Sequence, residues 1–97
     1  MIAEMIKLRK ALDDKGIPWV DRSNISETES SKKFYDMSMY RTCFIRHDTE
    51  WIVINGFGSI GHKDGLLELT ADCVNNGISL GNLKAVDVMN LISVFKG

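Results

Sequence analysis

The sequence is short of proline, with one, and of cysteine, with two, and neither sign of charge dominates. Each shortage closes off a class of explanation. Twelve Lys plus Arg stand against thirteen Asp plus Glu, for a formal net charge of −1. No whole-molecule field therefore gathers nucleic acid by counterion release, and a general DNA or RNA binder is disfavoured. Cys43 and Cys73 have neither the close spacing of a metal knuckle nor the density of a secreted disulfide scaffold. Free thiols in a reducing cytoplasm are the natural reading. At the start, "MIAEMIKLRKALDDKG", the charges Glu4, Lys7, Arg9 and Lys10 interrupt any apolar run before a signal core or membrane span is reached, so no membrane partner is expected.

What is present is an ordinary globular balance, with 44% hydrophobic and 26% charged residues in a chain of 97. So short a chain has too little interior for two cores, and residues 1–97 form one domain able to fold without a metal or disulfide. In the first segment Ile2, Met5, Ile6, Leu8 and Leu12 recur at helical spacing, with Gly16 as a C′ stop and Pro18 beyond it. "IPWVD" is then a short extended piece. Residues 22–33, "RSNISETESSKK", carry a single apolar side chain and predict a mobile loop. Next, Met37, Met39, Arg41, Cys43 and Ile45 alternate with Ser38, Tyr40, Thr42 and Phe44, as in a strand. A tight turn over His47, Asp48, Thr49 and Glu50 leads into "WIVIN" to complete a hairpin. "LLELT" suits a third strand at 66–70, followed by a short helix or turn to Gly77, and "LKAVDVMNLISVFK" places Val88, Leu91, Ile92 and Phe95 on one face of a second helix. The expected fold class is α+β, a small antiparallel sheet of about three strands flanked by an N-terminal and a C-terminal helix.

One stretch stands apart. "NGFGSIG", Asn55 to Gly61, contains the G-x-G-x-x-G spacing that cradles a dinucleotide pyrophosphate in larger proteins. That fingerprint requires the third glycine to open a helix, with an acidic residue roughly 20 positions on. Here His62, Lys63, Asp64 and Gly65 follow, leaving no room for the helix, and Glu68 and Asp72 lie too close. A Walker loop fails as well, for want of Gly-Lys-Ser/Thr. Two readings stay open: a turn-rich connection that uses glycine φ values, or an anion-binding concavity built from the backbone N–H groups of Gly56, Gly58 and Gly61, with His62 and Lys63 adjacent and the Phe57 ring as a platform.

Other chemistry is sparse. His47 and His62 have no third partner at metal spacing, and neither cysteine sits in a nucleophile signature, so no enzyme, metal site or cofactor is expected. Trp19 and Trp51 suit a core, although a buried indole N–H needs a partner and one ring can line a pocket. Arg41, in the middle of a half-buried strand, needs an anion, supplied either by Glu68 on a neighbouring strand or by a ligand phosphate.

The pieces "LRKALDDKGIPWVDRS", Arg41-Thr42, "WIVINGFGSIG", "GLLEL", "VNNG" and "LGNLKAVDVMNLI" together resemble a group of short proteins encoded by bacteriophages and prophages of Gram-positive and gut bacteria. The likeness covers most of the chain outside residues 22–36, with Lys84 standing where similar proteins usually carry a Thr-type helix cap. It implies a non-enzymatic protein acting in the cytoplasm of the host bacterial cell against host defence. Two mechanisms fit. One is a sponge for a nucleotide-like signalling molecule, similar in kind to the anti-Thoeris and anti-CBASS proteins, using Arg41, Trp51, Asn55, Gly56, Phe57, Gly58, Gly61, His62, Lys63 and Glu68. The other is an inhibitor of a host defence protein such as a CRISPR nuclease, whose acidic stretch with Asp21, Glu27 and Glu29 mimics nucleic acid; a structural or accessory phage role without a ligand is a further alternative. A homo-oligomer is compatible with either, because a small domain builds a deep pocket more readily between subunits.

Overall fold

The computed structural model describes residues 2–25 and 38–94. Two helices, α1 (Ala3–Asp14) and α2 (Ala85–Val94), flank a five-stranded antiparallel sheet of β1 (Trp19–Asp21), β2 (Met39–Arg46), β3 (Thr49–Gly56), β4 (Leu67–Ala71) and β5 (Leu80–Leu83). Strand order in the sheet is the order in the chain. The sheet thus has five strands where about three were expected. The additional ones are its short edges: "WVD" pairs with Thr42–Phe44 of β2, and "LGNL", whose Leu83 was expected to begin the last helix, pairs with β4 across a bulge. Neither is long enough to show an alternation of its own. The loop expected over 22–33 lies outside the described residues from position 26 onward, and with it Glu27 and Glu29 of the acidic stretch. Its first residues run beside β2 instead, with Arg22 N–H donating to Arg41 O at 3.0 Å and Asn24 bridging to Met39.

Local chemistry sets the turns. The α1 helix ends in a Schellman motif: Ile17 N–H reaches Leu12 O at 2.9 Å and Gly16 N–H reaches Asp13 O at 3.0 Å, with Gly16 at φ +68°. Between β2 and β3, His47 and Asp48 both adopt positive φ, 55° and 59°. That is the conformation a two-residue hairpin requires to follow the twist of its strands. The segment after β4 closes through a 3₁₀ turn at Asn75–Gly77.

Alternation along β3 decides where the core lies. Trp51, Val53 and Asn55 are buried while Ile52 and Ile54 are half-buried. Trp51 and Val53 join Leu67, Leu69 and Ala71 of β4, Phe44 of β2, Met5, Leu8 and Leu12 of α1, and Ala85, Val88 and Ile92 of α2 in one apolar cluster. Both helices therefore cover the same sheet face. The Trp51 ring stacks on Phe44 with centroids 5.8 Å apart, and its indole N–H donates to Arg46 O at 3.2 Å. Ile6, expected on the apolar face of α1, is 53% exposed at its margin. Of the face expected for α2, Phe95 lies outside the described residues.

Arg9 ties the first helix to the sheet edge. Its guanidinium donates to Thr42 Oγ1 at 2.8 Å, Asp21 Oδ1 at 3.2 Å and Arg41 O at 3.3 Å, and sits 4.7 Å above the Trp19 ring. Ser23 and Arg9 together hold the Asp21 carboxyl below its usual range, the Ser23 hydroxyl and N–H contributing most.

At the other end of the core, Lys84 opens α2 without a Thr-type cap, yet the helix start is satisfied. Asp87 Oδ2 accepts from Lys84 N–H at 2.8 Å, the returning half of a capping box, and Glu4 Oε1 of α1 accepts from Ala85 N–H at 2.8 Å. A carboxylate from one helix caps the other. The bond from Ala85 N–H is the main cause that holds the Glu4 carboxyl below its ordinary value of 4.5, with Lys7 adding to it. Because the folded value is depressed, the stabilisation is present above the unfolded value and is lost as pH falls through the folded one. Replacing Glu4 by Ala is expected to cost about 1 kcal/mol in urea denaturation at pH 7, the size of a lost helix cap. The deficit against the parent protein is expected to narrow as the pH is lowered through the carboxylate range.

Candidate functional site

The glycine stretch leaves the sheet at Gly56 and returns at Leu67, and four interactions hold it in place. Ser59 folds back on Gly56: its hydroxyl donates to Gly56 O at 2.8 Å and accepts from Gly56 N–H at 3.0 Å, while Ser59 N–H also reaches Gly56 O. Asn55, fully buried at the end of β3, donates from Nδ2 to Leu66 O at 3.0 Å, stapling the departing strand to the returning chain. Leu66 N–H closes the inner turn on Gly61 O at 3.0 Å. Finally Glu68 of β4 takes the Ile60 N–H on Oε1 at 2.7 Å, and the Ile60 side chain lies on Gly81 of β5, where an added Cβ would overlap it.

This scaffold presents an open groove of about 460 Å³ lined by Phe57, Gly58, Ser59, Gly61, His62, Lys63, Asp64 and Asn82. Gly58 and Gly61 adopt φ values of +87° and +86°, and their N–H groups have no hydrogen-bond partner among the described residues. Gly56 differs. Its N–H is spent on Ser59, and a Cβ there would meet the Ser38 and Met39 backbone, so that glycine serves the close approach of β2 and β3.

Of the ten residues expected at the site, five line the groove together: Phe57, Gly58, Gly61, His62 and Lys63. The other five are elsewhere. Trp51 lies in the core under the helices, Asn55 and Gly56 build the base of the loop, and Glu68 holds it from outside. Arg41 is exposed on the sheet face away from the helices, so the Arg, the indole and the glycine amides do not converge on one ligand. Nor do Arg41 and Glu68 form the internal ion pair that was one expectation, since Ile54 of β3 stands between their strands, pairing with Arg41 on one side and Glu68 on the other. Glu68 turns to the loop amide instead.

Ser59, Asp64 and Asn82 line the groove without having been expected at the site. Asn82 comes from an edge strand whose pairing brings it opposite Gly61, its Oδ1 only 3.0 Å from where a Gly61 Cβ would stand. No local pattern announces that approach. The groove therefore offers backbone N–H groups and an ammonium at one part, an exposed aromatic ring, and carboxylate and amide oxygens able to accept from hydroxyl or amino groups.

Comparison with family models, with curated proteins and with solved structures gives no match for this chain.

A second groove, between the end of α1, the His47 turn and α2, gathers Lys15, Arg46 and His47, with His47 Nε2 3.0 Å from Ile92 O. Both helices end beside it, so these basic groups face the negative ends of two helix dipoles, which accounts for them without a ligand. Cys43 is buried and Cys73 half-buried, both as free thiols, and burial pushes the Cys43 thiol up, away from nucleophilic behaviour. No helix among the described residues is long and apolar enough to cross a membrane. The glycine-loop groove depends on Ile60 sitting against Gly81. Gly81→Val is expected to lift Ile60, and the loop amides are expected to exchange with solvent at least 10-fold faster in hydrogen-exchange measurements while the amides of β2 and β3 keep their protection.

Proposed function

We propose that this chain is a non-enzymatic, phage-encoded binding protein that sequesters a nucleotide-derived signalling molecule of its bacterial host, taking it in the groove of the glycine loop. The observation that carries the reading is the pair of N–H groups at Gly58 and Gly61, without a partner among the described residues, beside Lys63. Backbone N–H groups lining one groove suit phosphate oxygens, and an adjacent ammonium adds a charge-assisted bond. The exposed Phe57 ring offers a face on which a base can stack. Asp64 and Asn82 offer acceptors for ribose hydroxyls. Phosphate, sugar and base each find a complementary group within one groove, and the resemblance of "WIVINGFGSIG" to small phage proteins supplies the biological setting. Holding a ligand this way needs no reacting side chain, and the host cytoplasm is where such a signal is met.

The experiment is thermal denaturation with and without ADP-ribose and a set of cyclic dinucleotides. One of these is expected to raise the melting temperature, and mass analysis after heat release is expected to return it unaltered. Lys63→Glu is expected to weaken that ligand at least 10-fold, equivalent to about 1.4 kcal/mol, while leaving the ligand-free melting temperature unchanged because Lys63 is exposed. A flat response to every probe sinks the reading, and a chemically altered ligand turns the protein into an enzyme. Recovery of one stoichiometric host effector from infected cells, with no small molecule bound, favours the inhibitor mechanism instead.

A further inference from the structure

The sheet face opposite the helices carries a pattern the nucleotide reading does not use. Arg41 and Cys43 of β2, Ile52 and Ile54 of β3 and Glu68 of β4 follow the alternation away from the core, and Val20 joins them from β1, at 52% exposure. No described helix covers this face. Its centre is apolar, with Ile52 and Ile54 flanked by Val20 and by Ile45 of β2, which is 67% exposed. In the row through Ile54 the charges are sorted by side, with Arg22 and Arg41 towards the β1–β2 edge and Glu68 on β4, while Glu50 stands at the end of β3.

The register gives the key relation. Arg41, Ile54 and Glu68 form one row across β2, β3 and β4, so the two opposite charges stand symmetrically about Ile54, roughly 10 Å apart at two strand spacings. The described residues give the Arg41 guanidinium no partner, and the Glu68 carboxylate spends one oxygen on Ile60 N–H. We propose that this face is the interface of a homodimer in which a two-fold axis runs along β3, stacking Ile54 on its own copy and setting Arg41 of each chain against Glu68 of the other.

The geometry is self-consistent. Rotation by 180° about an axis lying along β3, between two stacked sheets, exchanges the β2 side of one copy with the β4 side of the other. Sheets stacked face to face lie about 10 Å apart, a gap that an arginine and a glutamate can bridge together. The rotation stacks Ile52 on its copy and covers Cys43 with Thr70 of the second chain. A two-fold interface must be complementary to itself, and a row reading positive, apolar, negative has that property about its centre. Glu50 lies at the end of β3, one row beyond Ile52, where twist splays stacked sheets apart and the like pair it makes with its copy stays in water. The partner's guanidinium would brace the same carboxylate that secures the glycine loop.

Analytical ultracentrifugation at about 100 μM in low salt tests this. The parent protein is expected to sediment at twice its 10.9 kDa chain mass and to dissociate as salt is raised, since ion pairs at an interface are screened. Arg41→Glu and Glu68→Arg are each expected to be monomeric, since each places like charges in both pairs, with near-UV circular dichroism verifying that each is folded. Mixing the two variants decides the matter. In the mixed dimer one pair is the parental Arg41 with Glu68, and the other carries the same two charges with their positions exchanged. Two monomeric proteins are therefore expected to form a heterodimer of parental affinity. A charge effect inside one chain cannot be rescued by a second chain. A monomeric parent at this concentration, a dimeric Arg41→Glu variant, or two folded variants that stay monomeric when mixed overturns the proposal.

Discussion

The alternation of β3 is the constraint on which the other features depend. Trp51, Val53 and Asn55 face one way, and an indole with no exposed surface cannot be left without cover. Both helices are drawn to that side, Met5, Leu8 and Leu12 from α1 and Val88 and Ile92 from α2 closing over Trp51 and its neighbours. Burial of side chains of this size is worth about 1.5–3 kcal/mol each. Summed over the cluster, it outweighs any single polar contact among the described residues. Everything else is arranged around that choice, including a second sheet face with no described helix on it and a polar residue, Asn55, at the point where the strand leaves the core.

Asn55 shows how the core passes into the groove. It belongs to the buried alternation, so its amide must be satisfied internally, and the Leu66 carbonyl satisfies it. That bond fixes the width of the loop mouth between β3 and β4. Glycines with positive φ, the Ser59 hydroxyl and the Glu68 carboxylate then consume most of the loop's polar groups. The loop is a built object with a few groups left over. Its own anion, Glu68, already occupies one amide, and among the described residues the Gly58 and Gly61 N–H groups, His62 and Lys63 are left to meet an outside anion.

The readable parts of the fold were those with periodicity or special backbone demands. The helix over "MIAEMIKLRKALDDKG" with its Gly16 stop, the hairpin into "WIVIN" and the strand over "LLELT" follow from side-chain spacing and turn chemistry, and each is present, although the turn expected over His47 to Glu50 takes only His47 and Asp48 and leaves Thr49 and Glu50 paired in β3. The three residues of β1 and the four of β5 were not legible as strands, because strands so short exist through the neighbours they pair with. In the candidate site, contiguity served well: Phe57 to Lys63 stay together because they are one turn. Residues brought in from a distance served poorly. Trp51 and Arg41 are ten positions apart and face opposite sides of the sheet, a separation that requires the register and the position of the helices to be known. Arg9 escaped notice because a helix arginine reads as solvated until the sheet edge beneath it supplies Thr42, Asp21 and the Trp19 ring.

Strand order identical to chain order has a kinetic meaning. Each ladder joins strands that follow one another in the chain, so the sheet can zip hairpin by hairpin with modest loop-closure cost. The Glu4–Ala85 bond, by contrast, closes a span of 81 residues. The topology favours a sheet that forms early with Trp51 still wetted, and a late step in which the two helices meet and seal it. Docking of the two helices, rather than strand pairing, then meets the larger loop-closure entropy.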